Sequence, residues 1–274
     1  MIEVAWPGGL RCAVAITVDS DGTANEVGRG MAPTGSRSHG RYSRHGIARY
    51  LDLFDKHGIS GTFFTCGWDA EQSPQIFEAV VAGGHEVAAH GYQHEMQPLG
   101  DAEPALLRKT HGILTAICGS PPVGFRSPGG IKTALTVRTL IELGYLYDSS
   151  EKDFDLPYIG SFEGRQYDKF AILPNNTSSL DDFPFYRVSY TPPSEVLAHW
   201  KQEFDAIYRE GGYFNLTLHP RLGFGSGAPS RAAIVGELIA YIGGHDGVGF
   251  FRMRDIAQWC LSSPAKWRIE EMTR

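Results

Sequence analysis

Only four cysteines occur in the 274 residues, Cys12, Cys66, Cys118 and Cys260, and no two form a CxxC pair. That sparseness excludes a disulfide framework and a thiolate zinc site. Basic clusters are missing too. The chain has 25 Lys and Arg against 31 Asp and Glu, for a net charge of −6, which argues against nucleic acid or an anionic membrane as partner. No apolar run approaches the ~18 residues that a membrane span needs. The opening "MIEVAWPGGLRCAVAIT" has no basic head followed by a long apolar stretch, so a cytoplasmic protein is expected. Repeats, low-complexity tracts and linkers are also absent, so residues 1–274 read as a single catalytic domain.

What is present has the balance of a globular protein, with 42% hydrophobic and 20% charged residues. Short apolar runs predict buried strands at "CAVAITV", "GTFFTC", "HEVAAH", "VGFRSP", "GYLYDSS", "FAILPN", "YFNLTLHP" and "GVGFFRM". Between them lie helical patterns. "HGIARYLDLFDKHG" puts Ile47, Tyr50, Leu51 and Phe54 at helical spacing and stops at Gly58. "SPQIFEAVVAGG", "PALLRKTHGILTAICGS", "TALTVRTLIELG" and "PSEVLAHWKQEFDAIYREGG" follow the same plan. Strand then helix, repeated, predicts an α/β fold with a parallel sheet or barrel inside and helices outside.

In such a fold the active site forms on the loops after the strands. The polar groups of "VDSD", "FFTCG", "AHGYQHE", "FRSPGG", "YDSS" and "LHPR" all fall there. In "AVAITVDSDGT", Asp19 and Asp21 are two apart and share a side of an extended chain. Adjacent carboxylates repel unless a cation or a proton lies between them. His90 and His94 are four apart, one turn of a helix, so both rings can face one point. Two histidines and a carboxylate make a three-ligand metal site with open positions for water. One of the two aspartates then binds the metal and the other stays free beside it as a base. Arg126 is a cation suited to holding a carboxylate ionised, and His219, ending a strand, is placed to protonate a leaving group. His85 points elsewhere and packs or caps, and Cys66, with no base beside it, reads as a buried inert thiol.

The motifs "TVDSDG", "HGYQH", "RSPGG" and "LHP", in this order, resemble the polysaccharide deacetylase (NodB-homology, carbohydrate esterase family four) superfamily. The resemblance runs over roughly residues 10 to 255 and implies a distorted (β/α) barrel of the NodB-homology type. It implies one divalent metal, zinc first and cobalt, nickel or iron as alternatives, held by Asp21, His90 and His94. Asp19 is then the base, Arg126 its orienter and His219 the acid. For the carboxylate tuning His219, Asp148, Asp155, Asp181 and Asp182 are candidates, and Asp148 is preferred because it closes a strand. Polymer-acting members usually have adjacent aspartates where Ser20 intervenes here, and Ser or Thr where Gly91 follows His90. The connection after the first motif, "HGYQHE" and "LDDFPFY" are similar instead to an intracellular branch. That branch includes cyclic-imide hydrolases, allantoinase-like enzymes and peptidoglycan-deacetylase-like proteins.

Residues 22 to 46 form a long connection, the length at which ordered loops act as lids or binding loops. Arg37, Arg41, Tyr42 and Arg44 are its candidates for the substrate entrance, and Trp68, Phe125, Phe183 and Phe185 form an apolar wall or belong to the core. The leading expectation is a metal-dependent hydrolase of carbon–nitrogen bonds in a small amide, cyclic imide or ureide. N-deacetylation of sugars or peptidoglycan fragments is the alternative, and a non-catalytic metal or carbohydrate binder the rival of another class. A homo-oligomer is expected from the resemblance alone.

Overall fold

The structure, a computed structural model, describes residues 6–31 and 37–272. Every residue of β1 (Cys12–Ser20) is buried, the mark of a strand covered on both faces. Its even-numbered apolar side chains Val14, Ile16 and Val18 join a core with Phe54, Leu114, Val235 and Leu238 from outer helices. Ala13 and Ala15 point the other way, toward Phe64, Ala88, Tyr147 and Ala171. Alanines leave the interior narrow, and the same parity carries Thr17 and Asp19 to its upper end.

All eight expected strands form: β1, β2 (Thr62–Thr65), β3 (Glu86–Ala89), β4 (Gly124–Phe125), β5 (Tyr147–Asp148), β7 (Arg165–Ile172), β8 (Tyr213–Leu218) and β9 (Val248–Phe250). Two more were not foreseen, β6 (Tyr158–Phe162) and β10 (Ile269–Glu271). β6 pairs antiparallel with β7, the one departure from parallel pairing among the described strands. The sheet runs β10-β6-β7-β5-β4-β3-β2-β1-β8, with β9 on β1. Among the described residues its ends do not pair strand to strand. The segment leaving β7 reaches β8 through a single parallel bridge, Asp181 to Thr217, and Asn215 Nδ2 donates to Pro174 O at 2.9 Å. The result is a distorted barrel with one thin seam.

The expected helices are α3 (Ser43–His57), α5 (Pro74–Ala82), α6 (Glu103–Cys118), α7 (Ala134–Glu142) and α8 (Pro193–Glu210). α3 ends where Gly58 takes a left-handed conformation, φ 63°. α4 (Gly67–Gln72), α9 (Pro229–Gly243) and α10 (Met253–Leu261) complete the outer layer. α10 starts against the strand beginnings, with Met253 N donating to Thr62 Oγ1 and Arg254 N to Glu86 Oε2. That end is closed and the opposite one is left for chemistry. Among the described residues no helix is long and apolar enough to cross a membrane.

The connection over 22 to 46 is more structured than a loop. It contains α1 (Ala24–Gly28) and α2 (Ser38–Arg41), and α3 begins within it. The carboxylate of Asp69 on α4 accepts from the backbone N–H of Gly22 at 2.8 Å, Thr23 at 2.7 Å and Ala24 at 3.1 Å. Any side chain at Gly22 would collide with it, since a Cβ there lies 2.7 Å from Asp69 Oδ1. Asp69 thereby pins the turn that follows the two acids of β1.

Candidate active site

A cavity of about 640 Å³ opens at the C-terminal ends of the strands and is lined by Asp19, Asp21, His90, His94, Arg126 and His219. Another hollow of about 720 Å³, near His57 and Arg252, lies at the strand beginnings and gathers no comparable chemical set.

Arg126 follows the two-residue strand β4 and is 1% exposed. Its Nη1 donates to Asp19 Oδ1 at 2.7 Å and Thr17 Oγ1 at 3.0 Å. Nη2 donates to Ser149 Oγ at 3.0 Å, and the guanidinium lies 4.0 Å from the Phe64 ring centre. A guanidinium held on every side is a fixed charge, not a mobile one. Burial pushes the Asp19 carboxyl up, but Arg126, with His90 and His219, outweighs it and holds the group below its ordinary range. Asp19 is therefore ionised and aimed.

His90 and His94 come together, with ring centres 5.2 Å apart, but not by a helical turn as their spacing predicts. Gly91 at φ 70° and His94 at φ 59° fold the segment into a tight left-handed loop. Glu95 secures it by accepting from the backbone N–H groups of Tyr92 at 2.9 Å and Gln93 at 2.7 Å. His90 Nδ1 lies 2.7 Å from Arg126 O, so it is the donor and Nε2 keeps its lone pair. Burial, opposed by Asp21, lowers the His94 pKa to about 4, leaving a neutral ring. His94 Nε2 is 4.0 Å from Asp21 Oδ2, while Asp21 Oδ1 and His94 Nδ1 are buried without hydrogen-bond partners. The orphaned polar atoms of Asp21 and His94 and the neutral His94 imidazole are donors of the kind that suit a divalent metal. Among the described residues the trio whose ligand atoms lie within 4.8 Å of one another is instead Asp181, Asp182 and His219, but the Asp182 oxygens are already engaged.

That engagement corrects the expectation for Asp148. Asp182 Oδ1 lies 2.6 Å from His219 Nδ1, and its Oδ2 accepts from His219 N at 2.9 Å and Ser226 N at 2.7 Å. Asp148 is instead bound to Lys132 Nζ at 2.6 Å. β7 stands between β5 and the seam, whereas the segment after β7 lies beside β8, so strand-end position alone misleads. Burial lowers the His219 pKa, but Asp182, helped by Asp181, more than reverses this and lifts it to about 10.

Phe183 lines the cavity, as expected. Tyr42, Arg44, Trp68 and Phe125 do not. Tyr42 accepts from Arg49 Nη1 at 3.1 Å, Arg44 is exposed, and Trp68 packs on Tyr92. Phe125 is 2% exposed in the core, the inward fate of a two-residue strand. Arg37 and Arg41 do not line the cavity either. The connection contributes Asn25, Glu26, Arg29, Met31 and His39 in their place. Arg221 was also missed. It is 2% exposed, pairs with Glu26, and donates to Asp21 O at 2.8 Å and Gly22 O at 2.7 Å. The only sequence sign of it was its place in "LHPR" after a strand. His85 packs as expected, its Nδ1 accepting from Gly61 N at 3.2 Å. Burial raises the Cys66 thiol well above its ordinary range.

This fold and site define a hydrolase of the deacetylase class. Residues 35–147 match the polysaccharide deacetylase family. The crystal structure of a Mycobacterium smegmatis protein assigned to the polysaccharide deacetylases is similar throughout, with TM-score 0.86, 32% identity, and 99% of this chain and 96% of that one covered. The chain belongs to the polysaccharide deacetylase family. It is 29% identical to the peptidoglycan deacetylase of Helicobacter pylori over 280 residues, covering 89% of this chain and 94% of the relative. Puue allantoinase is also similar, at TM-score 0.82 and 28% identity over 94% of this chain and 93% of that one.

Proposed function

We propose that this protein hydrolyses a carbon–nitrogen bond in a small amide, cyclic imide or ureide, with one divalent metal held by Asp21, His90 and His94. The observation that carries the small-substrate reading is the size of the cavity and its mixed polar and apolar lining. Asn25, Met31, Phe183 and Pro184 are among its lining residues. Its volume, about 640 Å³, suits a single small molecule bound over most of its surface. Likeness to an allantoinase supports the same bond type.

Asp21, His90 and His94 would hold the metal, which would supply Lewis-acid chemistry there. Asp19, kept ionised by Arg126, takes up the proton released as water attacks. His219, a protonated imidazolium at neutral pH, donates to the departing nitrogen, because an amide anion is a very poor leaving group. Asp182 fixes its ring from behind, and Phe183, with ring centre 6.1 Å away, excludes water from one flank. Base and acid are thus held in opposite protonation states by opposite partners.

The Helicobacter pylori relative favours a second reading, N-deacetylation of a peptidoglycan fragment. Both are tested by loading the protein with zinc, cobalt, nickel or iron and screening turnover. Cyclic imides, ureides and formyl or acetyl amides would be set against N-acetylglucosamine oligomers. Faster turnover of long oligomers would overturn the small-substrate reading.

A further inference from the structure

The cavity carries more positive charge than its chemistry uses. Each carboxylate in its lining has an inner counterpart: Asp19 pairs with Arg126, Glu26 with Arg221, and Asp181 lies 3.7 Å from His219. Asp21 is assigned to the metal. Three further cations, Arg29, Lys152 and Arg187, line the same cavity, and among the described residues no acid lies within 4.0 Å of any of them. All three are exposed at the entrance. This surplus is unusual in a chain whose net charge is −6.

The three come from separate segments, each shaped to present its cation. Arg29 caps the C-terminal end of α1. Arg187 lies in a π-helical turn, Pro184–Ser189, a rare conformation found often at functional sites. Lys152 lies against the glycines of "RSPGG": a Cβ on Gly130 would sit 2.4 Å from Lys152 Nζ. Gly130 also takes φ 78°, so two requirements for glycine coincide there. Like charges gathered round one opening raise each other's energy unless an anion joins them.

Resting on the hydrolase reading above, we propose that the substrate carries an anionic group, a carboxylate or phosphate, held at the rim by Arg29, Lys152 and Arg187. The bond to be cut then lies inward, at Asp19 and His219. Arginine suits planar oxyanions through paired N–H donors, and lysine adds a point charge.

The test uses metal-loaded protein and the matched probes N-acetylglycine, an anion, and N-acetylglycinamide, its neutral counterpart. Calorimetric titration should show the anion binding more tightly, with affinity falling as salt rises from low to moderate concentration. Arg29→Gln, Lys152→Gln and Arg187→Gln should each weaken the anion by about fivefold, near the upper worth of one partly exposed ion pair. They should leave the neutral probe unchanged. Equal affinity for the two probes would overturn the proposal. So would anion binding that survives all three substitutions, since the carboxylate would then sit on the metal alone. Turnover of both probes is followed in parallel. If neither is hydrolysed although the anion binds at the rim, the hydrolase reading fails on these amides while the anion subsite stands.

Discussion

Replacing Asp182 with Asn tests the proposed acid most directly. In the native site a buried imidazole holds its proton up to about pH 10, although burial alone would push its pKa below 6.5. The carboxylate 2.6 Å from Nδ1 is the largest opposing influence. A tenfold change in proton affinity corresponds to about 1.4 kcal/mol, so the pair stabilises the charged ring by on the order of several kcal/mol. A neutral amide removes the Coulombic part and returns His219 to 6.5 or lower, with Asp181 at 3.7 Å as the remaining acid. At pH 8 a group of pKa 6.5 is protonated only about 3% of the time, so turnover should drop about tenfold to thirtyfold. The sign is definite: wild-type activity is lost as pH rises through about 10, and in the variant that loss begins below neutrality. The same pairing stabilises the fold. Its contribution is full below pH 6.5 and disappears as pH rises through about 10. Turnover against pH on metal-loaded enzyme, with NMR titration of the His219 ring, reads both effects. A His219 ring still titrating near pH 10 in the folded variant would refute the reasoning.

Other outcomes follow from the same geometry. Asp21→Ala and His94→Ala should lose the roughly one metal per chain expected after reconstitution, measured by elemental analysis, and normal content in both would break the assignment. Asp19→Asn should lower turnover by about 10²-fold or more while metal content stays near normal, because the carboxylate removed is the base and not a ligand. Asp69→Ala leaves three backbone N–H groups of the turn after β1 without their acceptor. It should cost about 2 kcal/mol, read by chemical denaturation. An unchanged midpoint would mean that the turn supports itself.

The elements were legible where one physical cause dominated. β1 shows in "CAVAITV" because a strand covered on both faces needs apolar residues throughout, and α3 shows because its stripe stops at Gly58. The antiparallel β6 was not legible. "PYIGSF" is short and half polar, and only its pairing with β7 makes it a strand. At the site, Asp19, Asp21, His90, Arg126 and His219, which line the cavity, lie at or just after strand ends and stood out as sequence motifs. The His90–His94 pair met by a different route, since Gly91 and His94 turn left-handed where a helix was expected. Asp182 was indistinguishable from its rivals because its partner is 37 residues away in the chain. Tyr42, Arg44, Trp68 and Phe125 were chosen for side-chain type, whereas the direction each faces is set by tertiary packing.

The seam of the barrel has a consequence for the acid. Asp181 forms the one bridge to β8, and Asp182, its neighbour, anchors His219. Thr217, two residues before that histidine, pairs with Thr17 of β1 on one edge and on the other donates its backbone N–H to Leu180 O at 2.8 Å. Closing the cylinder and charging the imidazole are therefore one equilibrium seen from two sides. If the β7 segment peeled from β8, the carboxylate would leave with it, and the ring would lose the partner that holds its proton. The molecule cannot gape along that line and remain armed, because the contact that seals the seam and the carboxylate that charges the acid are neighbours in the chain.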